Sequence, residues 1–230
     1  MDIKALEIQC DRIVEKLTLA KSTDGKHLVF GASSHRYGIE GPLSDRKISD
    51  FENNYGINIP IAFRLFLSRV GNGNKTPHLS EKHLVNGCCA GPYYGLFPLG
   101  EYTTIGDNIV LSNTPTMGPN FPVEKWKSIV ERLEEPSFSD EEYDEILDKV
   151  YAGILPLGHQ GCSGWQGLIL VGENVGRVVY FDEELIGPPT YTRYDNFLDW
   201  YESWLDGVIS GPHKPNDFEG TIYMGSRKTK

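Results

Sequence analysis

Apolar side chains recur at three-and-four spacing from the first residues of this chain. Ile3, Leu6, Cys10, Ile13, Val14 and Leu17 share one side of a helix over 3–20, and Gly25 lies just past its end. Residues 24–46 are rich in turn formers, with one short strand expected at His27–Phe30. Ser49-Asp50-Phe51-Glu52 has the spacing of a capping box, so a short helix is expected to open there and stop near Gly56. Pro60 suits the first position of the next helix, where a missing N–H costs nothing. Phe63, Leu65, Phe66, Leu67 and Val70 give that helix a wide apolar face, and Gly71 is placed to end it in a left-handed conformation.

Tyr93–Leu99 forms a short apolar run, expected as a buried strand or extended segment, and 103–122 is loop-like with Pro115, Pro119 and Pro122. Two helices follow. Val123–Leu133 places Trp126, Ile129, Val130 and Leu133 on one face, and Asp140–Val150 does the same with Tyr143, Ile146, Leu147 and Val150. Ser139 with Glu142 makes a second capping box. Apolar and β-branched runs then take over. Ile154–Leu157 is brief and, carrying Pro156, belongs at the periphery of a sheet. Trp165–Val171 and Gly176–Asp182 read as a hairpin, central in its sheet, with the 60–70 helix packed on it. A closing helix over about 195–209 carries Phe197, Leu198, Tyr201, Trp204, Leu205 and Val208. No repeat or linker divides the chain, so 1–210 is expected as one domain and 211–230 as a flexible tail.

Composition narrows the function more than the fold. With 22 basic and 32 acidic residues the net charge is −10, a surface that repels phosphate backbones and argues against nucleic acid as partner. The same field would speed encounter with a basic protein, although acidity also serves plain solubility. No signal peptide is visible, and no apolar stretch approaches the roughly 20 residues needed to span a bilayer. Cys10, Cys88, Cys89 and Cys162 are too scattered for a disulfide framework, which points to a reducing compartment, the cytoplasm.

Three stretches in fixed order carry a family resemblance. The first is Ile48–Pro60 continuing to Phe66-Leu67 and Val70-Gly71-Asn72-Gly73. The second is Gly91-Pro92-Tyr93-Tyr94-Gly95-Leu96-Phe97-Pro98-Leu99. The third is Ile154-Leu155-Pro156-Leu157-Gly158-His159-Gln160-Gly161-Cys162 with the hairpin ending at Tyr180. Over about 46–205 the chain resembles the SUKH superfamily, which includes fungal cell-wall synthesis regulators and many bacterial immunity proteins. The acidic helical stretch at about 120–150 looks like an elaboration on that core. The resemblance implies an α+β domain, a mixed and largely antiparallel sheet flanked by helices, with no catalytic centre and no cofactor. It also implies direct binding of a cognate toxin domain, often a nuclease or deaminase, in competition between bacteria. The other role it offers is a non-catalytic regulatory scaffold. It transfers no functional residue, because each immunity protein matches its own toxin.

Candidate sites therefore come from the residues themselves. Segment 131–148 holds nine carboxylates against Arg132 alone. Glu134, Glu135, Asp140, Glu141, Glu142, Asp144 and Asp148 are the candidates for capturing a basic toxin surface, the plain alternative being a solvated outer face. Trp200 falls off the main apolar face of the last helix, so it is expected at an interface while Trp126, Trp165 and Trp204 are expected in the core. Cys162 and His159, in a glycine-rich turn, have the residue types of a nucleophile and base, and the competing reading is a structural turn. His78, His83, Cys88 and Cys89 lie close in sequence but match no zinc module, so no metal is expected.

Overall fold

The computed structural model describes residues 2–73, 89–101, 110–133, 135, 137, 139–185 and 187–211. Helices α1 (Ile3–Thr23), α2 (Ala32–His35), α3 (Asp45–Tyr55) and α4 (Ile61–Leu65) come first, α4 running into a π-helical turn at Phe66–Val70. Then follow α5 (Val123–Leu133), α6 (Asp140–Tyr151), strands β1 (Ile154–Gly161), β2 (Gly164–Ile169), β3 (Val178–Asp182) and β4 (Thr190–Tyr191), and finally α7 (Phe197–Ser210). The strands form one antiparallel sheet in the order β1-β2-β3-β4. The chain is thus an α+β fold with the expected hairpin in the middle of its sheet.

Both faces of the sheet are covered, and this explains the near-continuous apolar strands. On one face Leu155, Leu168 and Val178 join a core with α1, α3, α4 and α7. On the other, Ile154, Trp165, Ile169, Val179 and Phe181 join a second core with Trp126 of α5 and Leu147, Val150 and Tyr151 of α6. Register makes the two sets consistent: Leu155 pairs with Leu168, Ile154 with Ile169, and Trp165 with Phe181. The result is a helix–sheet–helix sandwich built around alternating side chains. The 60–70 segment packs chiefly on α1 and α7 within the first of these layers.

Several local expectations change. The helix placed after Ser49 starts earlier, because Ser44 supplies the cap by accepting from the Lys47 N–H. Glu52 is consequently free of capping duty and ties α3 to α4 instead. Its carboxylate accepts from the Ile59 N–H at 2.8 Å and from Arg64 at 2.5 Å. In place of a strand at 27–30, the single residue Val29 makes a β-bridge. Gly71 ends its helix close to extended (φ 158°, ψ −176°), and the position needs glycine for space, since a Cβ would lie 2.2 Å from the Glu40 carbonyl oxygen. β1 is longer than expected, running on through His159 to Gly161. The extra residues pair with β2 and reverse through Cys162-Ser163, with Gly161 and Cys162 both at positive φ. Proline at position 156 is tolerated because β1 ends the sheet order. The Tyr93–Leu99 run lies along that free edge: the Tyr94 and Phe97 N–H groups donate to the carbonyls of His159 and Leu157. Blunting an edge in this way removes a template for unwanted strand pairing.

Candidate functional site

Helix α6 is positioned by its own sequence. Ser139 accepts from the Glu142 N–H while the Glu142 carboxylate accepts from the Ser139 N–H at 3.1 Å, completing the capping box. Leu147, Val150 and Tyr151 are driven into the second core, so the opposite side of α6 must face solvent. Asp140, Glu141, Asp144 and Glu145 are exposed there.

The carboxylates of this segment are not equivalent. Arg132 reaches back from α5 to pair with both Glu135 and Glu142. Its guanidinium, with the Ser139 N–H, holds the Glu142 carboxyl below the usual carboxylate range. Backbone N–H donation at the helix start, helped by the Ser139 hydroxyl, lowers Glu141 as well. Glu145 pairs with Lys149 at 3.3 Å, one residue beyond the acidic run. Asp148 is half-buried and shifts the other way, raised by lost hydration and then by Asp144 and Glu145. Asp140, Glu141 and Asp144 have no basic partner among the described residues. Glu134 lies outside the described residues.

Folding adds acids that lie far away in the chain. Tyr143 of α6 donates its hydroxyl to the Glu183 carbonyl at 2.7 Å, and the Tyr151 hydroxyl is bonded to the Asp182 carbonyl. The end of β3, Asp182-Glu183-Glu184, is thereby fastened beside α6. Burial first, and then Glu183, Glu184, Asp182 and Asp144, raise the Tyr143 phenol, which places all four charges around one ring. Glu183 itself is raised by burial, against the bond it accepts from the Trp165 indole N–H at 3.0 Å, with Asp182 and Glu184 adding to the rise. Sequence spacing could not find this extension, because the two acidic runs are separated by β1 and β2. The available signal was the run Asp182-Glu183-Glu184 at the end of an apolar strand.

Trp200 is not an interface residue. Its side chain is 0 % exposed, its indole N–H donates to the Tyr180 hydroxyl at 3.0 Å, and its ring lies 5.6 Å from that of Phe197. A stripe drawn on one side of α7 misplaces it because α7 is enclosed on nearly all sides, by α1, by α4 and by the sheet.

His159 and Cys162 are neighbours with different surroundings. His159 is buried, its ring edge-on to Trp165 at 4.9 Å, and its Nδ1 accepts from the Gly161 N–H at 2.9 Å. Burial lowers its affinity for a proton. Cys162 stands exposed at the tip of the β1–β2 turn. The arrangement uses His159 to fasten that turn. Of the four residues weighed as metal ligands, His78, His83 and Cys88 lie outside the described residues and Cys89 is buried. Among the described residues no group of three or more His, Cys, Asp or Glu could hold a metal ion, and no helix is long and apolar enough to cross a membrane.

The model of the SMI1 / KNR4 family (SUKH-1) matches residues 42–203, more than half of the chain and the span from α3 to α7. No curated protein sequence matches the chain.

Proposed function

The chain belongs to the SMI1 / KNR4 family (SUKH-1), and from that premise we propose that it is an immunity-type protein. It binds a cognate toxin domain of nuclease or deaminase class and neutralises it by direct contact in the cytoplasm, with no chemistry of its own. The observation that carries this reading is the composite acidic face. Asp144 on α6 lies with Asp182, Glu183 and Glu184 around Tyr143, and Asp140 and Glu141 are exposed one turn earlier on the same helix. Enzymes that act on nucleic acid need basic surfaces to hold phosphate, and a fixed array of carboxylates is complementary to such a surface. The capping box and the Tyr143–Glu183 bond hold the array rigid before binding, which lowers the entropy lost on association.

The test is co-expression with basic toxin domains of nuclease and deaminase class, read as co-purification and as protection. A stable complex that abolishes toxicity is expected. A toxin that remains active and unbound in the presence of excess chain overturns the proposal. The regulatory-scaffold role known for the superfamily would instead show as association with no effect on any toxin.

A further inference from the structure

The turn between β1 and β2 joins a titratable side chain to the acidic face. Gly161 donates its N–H to His159 Nδ1 at 2.9 Å, and this bond steadies the reversal through Cys162-Ser163 between the paired residues Gly161 and Gly164. Cys162 sits at φ 50°, a conformation that costs a non-glycine residue energy and persists only where its surroundings impose it. Ser163, the other turn residue, is buried and bonded to β3 twice. Its hydroxyl donates to Asp182 Oδ2 at 2.7 Å, and its carbonyl accepts from the Glu183 N–H at 3.0 Å. Beside them the His159 ring lies edge-on to Trp165, whose indole N–H holds the Glu183 carboxylate. Two routes therefore run from His159 to the same pair of acids.

The Gly161 bond requires a neutral imidazole. Only a ring nitrogen without a proton accepts an N–H, so the neutral ring carries its proton on Nε2. In the imidazolium both nitrogens are donors, and no rotation of the ring restores an acceptor. Proton uptake from solvent at Nδ1 thus breaks the Gly161 bond and places a charge on a buried ring. Around that ring stand Cys162, exposed in the turn, and Tyr94, from the segment along the β1 edge. The Tyr94 ring lies beside Gly161, and its N–H donates to the His159 carbonyl. Trp165, and Phe97 behind it, carry no charge. Asp182 and Glu183 of β3 reach the turn through Ser163 and Trp165. Burial lowers the proton affinity of His159 and the Cys162 backbone opposes it, so the ring is neutral at neutral pH and takes up its proton below 6.5.

We propose that the β1–β2 turn is a proton-operated latch on the acidic face. Neutral His159 closes it. The imidazolium releases Gly161, lets Cys162 relax, and frees Asp182 and Glu183 from the position that Ser163 and Trp165 give them. Acid then uncouples the two parts of the face, because Glu141 and Asp144 stay on α6 behind its capping box while the β3 acids move. The use of the latch rests on the reading of that face as the toxin contact; its mechanics do not.

The experiment is an NMR titration of the full chain from about pH 7.5 to about 5, the span in which histidines titrate. It follows the His159 ring nitrogens and the amides of Gly161 and Glu183. A shared midpoint below 6.5 is expected at all three. His159→Asn keeps a carbonyl oxygen bonded to Cγ, as Nδ1 is, and cannot take up the proton. Its Gly161 amide should not titrate. His159→Phe keeps a ring and removes the acceptor, so at about pH 7.5 its Gly161 and Glu183 amides should already stand where acid puts those of the parent. Burial raises Glu183, and its own titration is told apart because it persists in the Asn variant. His35→Gln, at a histidine buried elsewhere, should leave the shared midpoint in place, which separates the latch from the response of the whole fold. Thermal unfolding at each pH establishes that the chain is folded. A Gly161 amide that does not follow the His159 ring, one that still titrates in the Asn variant, or a Glu183 amide that is unmoved in the His159 transition would each overturn the proposal. No toxin enters these measurements, so their failure leaves the toxin reading to its own test.

Discussion

His35 shows how a single buried side chain sets the response of the whole fold to acid. It is fully enclosed, its Nδ1 accepts from the Tyr37 N–H at 3.0 Å, and its ring meets Tyr37 and Trp204 edge-on. Burial, with His27 nearby, pushes its pKa down to about 3 from an ordinary 6.5. The imidazole is therefore neutral when folded, and unfolding below 6.5 takes up a proton. Stability is complete above that value and falls as pH drops toward 3, with a limiting slope of about 1.4 kcal/mol per pH unit for one proton. Glu202 works in a lower window. Burial alone would raise it, but Arg12, Lys16 and Gln9 outweigh burial and bring it down to about 2. Its contribution is present above 4.5 and is lost only below that. Between 6.5 and 4.5 histidine dominates, so His35→Gln should flatten the dependence of the unfolding midpoint on pH in that interval. An unchanged slope would show that His35 is not buried neutral.

Elements in this chain are decided by capping and by the packing they find. α6 begins where its capping box says, and α5 spans the range its apolar period predicts. α3 does not, because two serines compete and Ser44 captures the end. The α4 segment was legible as a helix but not as one that widens into a π-helical turn at Phe66. That turn presents Phe66 to Phe197 and Tyr201, at ring separations of 4.9 and 4.7 Å. Phe66 is 1 % exposed. Phe66→Ala should cost about 3–5 kcal/mol, the range for deleting a buried phenyl ring, measured as the change in denaturant-unfolding free energy. A midpoint equal to that of the parent protein would remove Phe66 from the core and with it the reason for the π turn.

For the molecule as a whole, net charge and its placement govern encounter with a partner. A chain at −10 repels other acidic surfaces, and the α6–β3 face concentrates that field on one side of the sandwich. Association with a basic toxin domain should slow as salt rises toward physiological ionic strength, where the screening length is about 8 Å. Replacing Asp140, Glu141, Asp144 and Glu184 by lysine should lower the association rate more than the thermal stability, since exposed charges contribute little to folding. Glu142 is left out because its bond to Arg132 joins α5 to α6. Stopped-flow kinetics at low and high salt is the measurement, and an association rate indifferent to both changes would return this face to ordinary solvent exposure.

Hydrophobic periodicity and capping residues determined the helices α1, α5, α6 and α7, and apolar β-branched runs the central β2–β3 pairing. Those features depend on residues close in the chain, where spacing reports directly which side must be buried. The acidic charge and the run on α6 were legible for the same reason. Tertiary structure decided the rest. It placed Asp182, Glu183 and Glu184 beside α6, bonded the β1–β2 turn to Asp182 and Glu183 through Ser163, extended β1 through what looks like a loop of glycines, and enclosed Trp200. A stripe on a helical projection assumes one buried face. α7 has nearly all its faces covered, and only the packing of distant segments around it could say so.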